Sequence, residues 1–462
     1  MYILTKKNIE MTKLLDKPTV STMTDSDFVF GAFGGATRKM TIDNFRKNLN
    51  QNDQQVLNDI AFYIDINTGL GAPNETKVNV GGNLGMIDTL FNMRQNVLMD
   101  ANGNYCHLNR NDSRYTEGGE LIVDASTNQL LSKWANCDLM VILPEYYGKV
   151  QIVTVGSTTK YLPWFSAVPL PGGFTIPQQV VGMYKSTLVS SAMRSLPSYV
   201  SDNNKTINAF WNLAQARSKN HGLANLDFQN YLLFYMMAKY GYRDSQGCKT
   251  SDGTLVWGVG LNGTENTSGS STDGFGRQNG IKHGACMSLG LNDGNAAVTD
   301  SAGGTAHSVN VAGFENPWGQ RWEMRQGLCS VGTDVYCWRA NWLPTGTPTA
   351  ESFANIDYVK LTRATSNGQT MMNIIAAADG QGVYMIPKAS ASGISYGDGY
   401  WYSADGQLWF FGGNSYNGSD CGLASAYSYD AWSYSNSGIS ARLAYYGQIK
   451  RVTPTELARL AA

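Results

Sequence analysis

The sequence predicts a mixed α+β fold, rich in loops, with short strands and two helices. The 462 residues include 50 Gly, 25 Tyr and 11 Trp, a composition that indicates β structure with many turns. Apolar residues recur at helical spacing over Asn208–Gln215 and Phe228–Tyr240. Prolines at positions 163, 169, 171 and 177 exclude a long helix between those positions.

Length and charge narrow the class of protein further. A chain of 462 residues predicts two to four domains, each able to bury a core. The net charge of -1 gives no overall field that favours nucleic acid or an anionic membrane surface. No apolar run approaches the roughly 18 residues of a membrane-spanning helix. We therefore expect neither a nucleic-acid partner nor membrane insertion.

Changes in composition predict three regions. Residues 1–55 are polar and predict short strands followed by a helix that begins at Thr41 or Asp43, both good N-caps. Residues 56–135 mix short apolar runs with Gly/Asn turns and predict a small β-rich module, in which Asn102-Gly103 forms a turn before a strand. Residues 136–450 are aromatic and Gly-rich and predict one larger domain.

The most distinctive part of the chain is the segment Asn414–Ser437. It holds seven Ser, four Tyr and three Asn in 24 residues, and it has no Lys, Arg, Glu, Gln or Met. Tyr gives large, rigid contact area, and Ser, Gly and Asn give adaptable hydrogen bonding, so this composition is typical of a binding surface. A Ser/Tyr-rich sheet surface or a low-complexity loop is the alternative.

The segment resembles the variable region of proteins diversified by retroelements. The matching residues are GGNSYNGSDCGLA and ISARLAYYG, from Gly412 to Gly447. In that family a reverse transcriptase rewrites adenines, typically in AAY codons, which readily yield Asn, Tyr, Ser, Asp, Ala, Gly or Cys. The resemblance implies a variable region over 409–447. Trp432 departs from it, because no AAY codon becomes a Trp codon.

A second resemblance covers most of the larger domain. The run from Gly313 to Glu323 (GFENPWGQRWE) resembles the GxENPWGxxWEW signature of C-type-lectin-fold domains of the formylglycine-generating-enzyme type, with Met324 in place of the last Trp. Residues 231–246 resemble the helix and turn of that domain, and Leu139–Tyr147 resembles its first core strand. The resemblance implies a C-type-lectin-like domain at 136–450, in which Trp318, Trp322, Trp409 and a paired Arg442 support the fold.

Eleven residues are predicted to contact a ligand, because of their side-chain type and their resemblance to the family's variable positions. They are Ser415, Tyr416, Asn417, Asp420, Ser425, Tyr427, Tyr429, Asp430, Trp432, Tyr434 and Asn436. Glycines at 412, 413, 418 and 422 are predicted to form turns, and Leu423 and Ile439 are predicted to be core. Replacing Tyr427, Tyr429 and Tyr434 together with Ala is expected to abolish binding with little change in stability.

The sequence offers little for catalysis or for a cofactor. It has four histidines, none at HExxH or HxH spacing, and no P-loop or GxSxG. Glu315 and Glu323 are candidate glycosidase carboxylates, but the resemblance implies that both brace the core. Formylglycine-generating enzymes use a pair of cysteines near the carboxy end, where this chain has only Cys421. We therefore predict a protein that is not an enzyme.

Metal binding and disulfides are also not expected. The seven cysteines have irregular spacing without CxxC, and no EPN- or WND-like calcium-ligand run is present, so no metal is predicted. Cys329 and Cys337 flank a turn and are candidates for late oxidation, whereas assembly in the cytoplasm predicts mostly free, buried thiols. His221 is predicted to be a surface or hinge residue.

Together these features predict a phage tail-tip or fibre adhesin that binds a host surface receptor, either protein or glycan. Residues 1–55 resemble the attachment segment of tail proteins, which implies other tail proteins as partners; an ordinary amphipathic helix is the alternative interpretation. Met1–Lys7 lacks a signal-peptide core, which favours a virion protein assembled in the host cytoplasm. A homotrimer is expected from fibre-tip adhesins of this kind. The alternatives are a tail-associated hydrolase of surface polysaccharide and a bacterial surface-displayed diversified protein.

Overall fold

The computed structural model describes residues 2–5, 8–13, 28–33, 36–41, 53–65, 77–155, 158–262, 278–301, 303–376, 382–391 and 398–462. Over these ranges the chain is mixed α+β, with many short strands joined by loops, which confirms the predicted fold class. The strands are β1 (Tyr2–Thr5), β2 (Asn8–Lys13), β3 (Phe28–Phe33), β4 (Ala36–Thr41), β5 (Phe62–Asp65), β6 (Asn79–Gly82), β7 (Gln95–Met99), β8 (Asn104–His107), β9 (Asp138–Leu143), β10 (Tyr146–Val155), β11 (Thr158–Ser166), β12 (Phe174–Ile176), β13 (Gln179–Lys185), β14 (Thr187–Val189), β15 (Ala192–Arg194), β16 (His221–Leu223), β17 (Gly294–Thr299), β18 (Thr305–Val311), β19 (Phe314–Glu315), β20 (Trp322–Met324), β21 (Leu328–Val331), β22 (Asp334–Trp338), β23 (Tyr358–Thr362), β24 (Gly368–Ala376), β25 (Val383–Ala391), β26 (Gly399–Tyr402), β27 (Phe410–Gly412), β28 (Gly422–Ser428), β29 (Ile439–Tyr445) and β30 (Lys450–Arg451). The α-helices are α1 (Asp53–Ile60), α2 (Gly85–Phe91), α3 (Ile207–Arg217), α4 (Leu226–Tyr240) and α5 (Pro454–Ala461).

Helices α3 and α4 confirm the two helices predicted from apolar spacing. Each begins where a side chain caps the first turn: Thr206 accepts a hydrogen bond from the backbone N–H of Ala209, and Asn225 accepts one from Phe228. Helix α4 ends at Gly241, whose φ of 71° is the left-handed conformation that favours glycine. Residues 226–238 of α4 are all buried, so the helix lies inside the domain with every face covered.

The amino-terminal strands form a sheet of their own. Its order is β2-β1-β3-β4, and all three pairings are antiparallel. This sheet agrees with the short strands predicted for residues 1–55. Strand β4 ends at Thr41, and the helix predicted to begin at Thr41 or Asp43 falls in 42–52, outside the described residues.

Two larger sheets join the region predicted as a small module to the region predicted as the main domain. A five-stranded sheet has the order β12-β10-β11-β5-β6, and a thirteen-stranded sheet has the order β25-β24-β26-β28-β27-β20-β29-β13-β9-β7-β8-β30, with β16 also paired to β29. Strand β7 pairs with β9 over five registered residue pairs. The boundary predicted at residue 135 therefore does not separate two sheets, because strands from 62–107 complete sheets begun by 138–185.

Smaller sheets complete the larger region. Strands β14 and β15 form a hairpin, β17-β18-β19 form one three-stranded sheet, and β21-β22-β23 form another. The turn predicted at Asn102-Gly103 lies between β7 and β8, with Gly103 at a φ of 85°. The predicted core strand over Leu139–Tyr147 corresponds to β9, whose six residues are all buried.

Arg442 lies at the centre of the main core, as the family resemblance implied. Its guanidinium is fully buried and donates to both carboxylate oxygens of Glu323, at 2.7 and 3.1 Å. It also donates to the backbone carbonyls of Gly182, Met183 and Glu315. Nε, Nη1 and Nη2 of Arg442 all donate to an acceptor, which is the condition for burying a guanidinium.

Hydrogen bonds and ion pairs hold both glutamates of the motif from Gly313 to Glu323. Glu323 also accepts from Arg325 at 2.6 Å and lies 3.7 Å from the buried ammonium of Lys185. Burial alone would raise the pKa of Glu323, but the charges of Arg442, Arg325 and Lys185 outweigh it and hold this pKa below its usual range. Glu315 accepts hydrogen bonds from the backbone N–H groups of Gly284 and Cys286. The prediction that both glutamates brace the core is confirmed.

The predicted tryptophan support is confirmed as well. Trp318 and Trp409 are fully buried, and Trp322 is 5% exposed. Trp409 Nε1 donates to the hydroxyl of Ser330 at 2.8 Å, and Trp318 packs edge-on against Trp257. These large rings supply much of the buried apolar area on which the neighbouring loops rest.

Candidate functional site

The Tyr/Ser-rich segment, residues 414–437, runs between two buried strands. Strand β27 precedes it, β28 lies inside it, and β29 follows it, with every residue of β29 buried. Strand β29 pairs with β13 on one side and with β16 and β20 on the other. The ends of the segment are thereby fixed in the middle of the thirteen-stranded sheet.

Glycines at the entry to the segment are required by the backbone. Gly412 and Gly413 have φ angles of 92° and 71°, and a Cβ at Gly412 would lie 2.6 Å from the carbonyl oxygen of Pro317. Gly418 also has a positive φ. Gly422 does not, but a Cβ there would collide with the Asp398 carboxylate. The predicted special backbone geometry is thus confirmed for three of these glycines, although Gly412 ends strand β27 rather than lying in a turn, and close packing explains the fourth.

The first part of the segment is a loop stabilised by its own asparagines. Asn414 Oδ1 accepts from the backbone N–H of Tyr416, and Asn417 Oδ1 accepts from the N–H of Asn414. The N–H of Gly418 donates to the carbonyl of Asn262 at 3.1 Å. This arrangement leaves the Tyr416 side chain 61% exposed. Asn417 and Asp420 are partly exposed.

The second part is an aromatic cluster. The Tyr427 ring packs against Phe410 at 5.3 Å between ring centroids, against Trp322 at 5.8 Å and against Tyr429 at 5.9 Å. Tyr427 is half-buried, whereas Tyr429 is 49% exposed. Tyr434 is partly exposed and lies 6.5 Å from Phe410. The expectation that replacing Tyr427 leaves stability unchanged therefore needs correction, because its ring is part of the packing.

Three of the eleven predicted contact residues are buried. Ser415 and Trp432 are each 3% exposed, and Ser425 is fully buried. The Ser425 hydroxyl donates to the carbonyl of Asp420, and the backbone N–H of Trp432 donates to Gln407 Oε1 at 3.1 Å. Burial removes these three side chains from the surface, so they support the segment from below. The partly or largely exposed members are Tyr416, Asn417, Asp420, Tyr427, Tyr429, Asp430, Tyr434 and Asn436.

Acidic groups in and beneath the segment are desolvated. Burial raises the pKa of Asp430, and the Tyr427 hydroxyl nearby lowers it only in part. Burial also raises the pKa of Asp420. Asp398 is fully buried below β28, accepts from the backbone N–H of Ala424 at 2.9 Å, and has a pKa well above its usual range because of burial and the neighbouring charge of Asp244.

Trp401 belongs to the aromatic cluster but was not predicted. It lies on β26, next to β28, and its ring packs edge-on against Trp322 at 5.5 Å and against Tyr427 at 6.2 Å. The alternation of Tyr400, Trp401 and Tyr402 was a usable signal, because alternate residues of a strand face opposite sides of a sheet. Tyr400 is accordingly buried, while Trp401 is partly exposed.

Two further groups of titratable side chains lie outside the segment. His221, predicted at the surface, is 1% exposed; its Nδ1 lies 2.8 Å from the Ser218 hydroxyl, and burial lowers its pKa to about 4. A separate cleft of about 630 Å³ is lined by His107, Glu117 and Arg451, in which Arg451 and Glu117 form an ion pair at 2.8 Å. Cys106 and Thr453 also line this cleft, and burial raises the pKa of the Cys106 thiol to about 12, which keeps it protonated near neutral pH.

The remaining candidate groups are the cysteines and the side chains that can bind a metal ion. All seven cysteines are buried and carry free thiols. Cys329 lies opposite Tyr336 in the β21–β22 hairpin, and Cys337 lies opposite Leu328, so the two are not a directly opposed pair. Across the described ranges, no group of three or more His, Cys, Asp or Glu side chains is placed to hold a metal ion.

Comparisons with known proteins leave the family open. No protein-family model matches the chain, and no curated protein is similar to it. None of the helices in the described part of the chain combines the length and apolar character needed to cross a membrane. The molecule is defined by its structure as a strand-rich α+β protein that carries a Tyr/Ser-rich surface on a buried scaffold.

Proposed function

We propose that this chain is a phage tail-tip or fibre adhesin that binds a host surface receptor through residues 414–437. The observation that carries the proposal is the contrast within this segment. Tyr416 and Tyr429 are its most exposed large side chains, yet the backbone on either side is fixed by buried strands. Rigid presentation of tyrosines lowers the conformational entropy lost on binding.

The proposal includes a C-type-lectin fold of the formylglycine-generating-enzyme type, diversified by a retroelement. Support comes from the order of the matching motifs and from the burial of Trp318, Glu323 and Arg442 at the centre of one network. Residues 1–55 attach the adhesin to other tail proteins. The assembled protein is a homotrimer in the virion, where several sites raise the overall affinity for a cell surface.

The burial of Glu315 and Glu323 fits a binding protein better than a hydrolase. A glycosidase needs two carboxyl groups that face a substrate cleft. Glu315 and Glu323 are 2% and 0% exposed and are occupied by backbone N–H groups and arginines. If the hydrolase alternative holds, purified protein incubated with capsule or cell-wall glycans will release reducing ends.

The adhesin is tested by replacing the two exposed tyrosines. Labelled wild-type protein should bind at least one member of a panel of bacterial strains, and the double variant Tyr416→Ala/Tyr429→Ala should lose that binding. Each hot-spot tyrosine is expected to contribute about 2 kcal/mol or more. Tyr358→Ala is the matched control, because Tyr358 is 43% exposed and lies on β23, outside the segment.

The result that contradicts the proposal is binding that survives the double change, or equal loss in the Tyr358→Ala control. The diversification is tested separately by genome sequence. A near-copy of the stretch encoding 409–447, differing only at adenines and adjacent to a reverse-transcriptase gene, is the expected finding.

A further inference from the structure

Four side chains form one partly exposed aromatic surface, here named the aromatic platform: Trp401, Tyr427, Tyr429 and Tyr434. Tyr427 is at its centre, with centroid distances of 6.2 Å to Trp401 and 5.9 Å to Tyr429. Tyr434 joins through the buried Phe410, which packs on both tyrosines. The face of an aromatic ring carries partial negative charge and attracts cations.

The carboxylate of Asp430 lies beside this platform without a cation. It follows Tyr429 directly in the chain; burial raises the pKa of Asp430, and the nearby Tyr427 hydroxyl partly offsets this rise. Among the described residues, no ion pair joins a Lys or Arg to Asp430, and its Oδ2 is buried without a hydrogen-bond donor. The residue as a whole is partly exposed, and a partly desolvated carboxylate attracts a cation more strongly than one in bulk water.

Residues 414–437 as a whole carry acidic side chains and no basic ones. Residues 414–437 contain Asp420 and Asp430 and no Lys or Arg. Two arginines touch the backbone of the segment, but both are buried: Arg321 donates to the carbonyl of Ser437, and Arg363 donates to that of Ser428. Their guanidinium groups bind backbone carbonyls in the interior, so the surface of the platform offers aromatic rings and a carboxylate to a partner.

We propose that the aromatic platform and Asp430 recognise an arginine side chain on a protein receptor. This inference rests on the proposed adhesin function and names the chemistry of its ligand. A guanidinium is planar, stacks on Tyr and Trp faces, and donates through two N–H groups to one carboxylate. A neutral or acidic glycan offers no cation for Asp430, so the observations favour a polypeptide.

The test uses the full-length protein and a fluorescent hexa-arginine peptide as the probe. The control peptide is hexa-citrulline, which has nearly the same shape but no charge. At about 0.15 M salt, where distant charges are screened, hexa-arginine should bind about tenfold more tightly than hexa-citrulline in fluorescence anisotropy. Equal affinity for the two peptides overturns the inference.

Two charge-removing variants decide whether the site is local. Asp430→Asn should weaken hexa-arginine binding about tenfold, whereas Asp88→Asn, which removes an exposed carboxylate on helix α2, should change it less than about twofold. Equal weakening by both variants means diffuse attraction and overturns the inference. Melting temperatures within about 2 °C of wild type show that both variants are folded.

Cell binding separates this inference from the adhesin itself. If Asp430→Asn and added hexa-arginine both reduce binding to a susceptible strain, arginine recognition is supported on the natural receptor. If binding is abolished by Tyr416→Ala/Tyr429→Ala but unaffected by Asp430→Asn and by hexa-arginine, the adhesin stands and arginine recognition fails. Binding that survives all of these changes contradicts the adhesin function itself.

Discussion

Replacing Glu323 with Gln tests whether the buried ion network holds the segment's scaffold together. The side chains of Glu323, Arg442, Arg325 and Lys185 all have 0% exposure. Glutamine keeps the size of the side chain but removes the carboxylate that faces these three cationic groups. One amide oxygen remains as an acceptor, while the new amide N–H₂ must face an arginine donor.

The expected loss follows from the contacts. Glu323 accepts three charge-assisted hydrogen bonds, two from Arg442 and one from Arg325. Each is worth about 1.5–3 kcal/mol; an amide oxygen in the position of Oε2 can keep two of them, and the bond to Oε1 is replaced by an amide N–H₂ that faces Arg442. The lost negative charge adds to this, because removing one partner of a buried pair typically costs about 3–5 kcal/mol. Lys185, whose pKa burial lowers to about 7, can release its proton and limit the loss.

Urea unfolding followed by tryptophan fluorescence measures this loss, because Trp318 and Trp409 lie in the same core. The matched control is Asp334→Asn, which breaks an exposed ion pair with Lys360 and should cost less than about 1 kcal/mol. A loss below about 1 kcal/mol for Glu323→Gln, equal to the control, would refute the network as a source of stability.

Three further predictions concern the segment and its support. Burial raises the pKa of Asp398, so this carboxyl stabilises the fold at acid pH, and the contribution is lost as the pH rises through the folded-state pKa. Asp398→Asn should therefore reduce the difference between the melting temperatures measured at acid and at alkaline pH. An unchanged difference would argue against this role of Asp398. Gly412→Ala should lower the free energy of unfolding in urea by about 1–3 kcal/mol, because its φ is positive and a backbone carbonyl lies next to it. Gly119→Ala is the control and should cost less, because Gly119 also has a positive φ but open space around it. Equal losses would contradict the packing argument. Tyr427→Ala should destabilise by about 2 kcal/mol or more through lost ring packing, whereas Tyr429→Ala should stay within about 0.5 kcal/mol, and thermal melts that rank them the other way would place Tyr429 in the core.

Local patterns predicted the parts of the fold that depend on local physics. Helix α4 was predicted because the apolar spacing that marks it lies within one short stretch of the sequence, Phe228–Tyr240. The pairing of β7 with β9 was missed, because it joins residues about forty positions apart and leaves no mark in either strand alone. The boundary at residue 135 was placed by composition, which does not report strand partners.

The segment itself shows the same limit on a smaller scale. Its composition predicted a polar, aromatic surface, and Tyr416 and Tyr429 are the exposed residues that such a surface needs. Composition did not separate these from Ser425 and Trp432, which are buried by contacts with Asp420 and Gln407. Much of the segment is turn rather than regular strand, so no alternation of two residues marks which side chains face inward.

The separation of Tyr416 and Tyr429 from the Glu323–Arg442 network has a consequence for how this chain can evolve. These tyrosines share no hydrogen-bond or ring partner with the network among the described residues, so substitutions in the two places should add without epistasis. A lineage can therefore sample many surface sequences at nearly constant folding free energy. The unfolding cooperativity of unrelated variants should then be the same, even where their binding preferences have nothing in common.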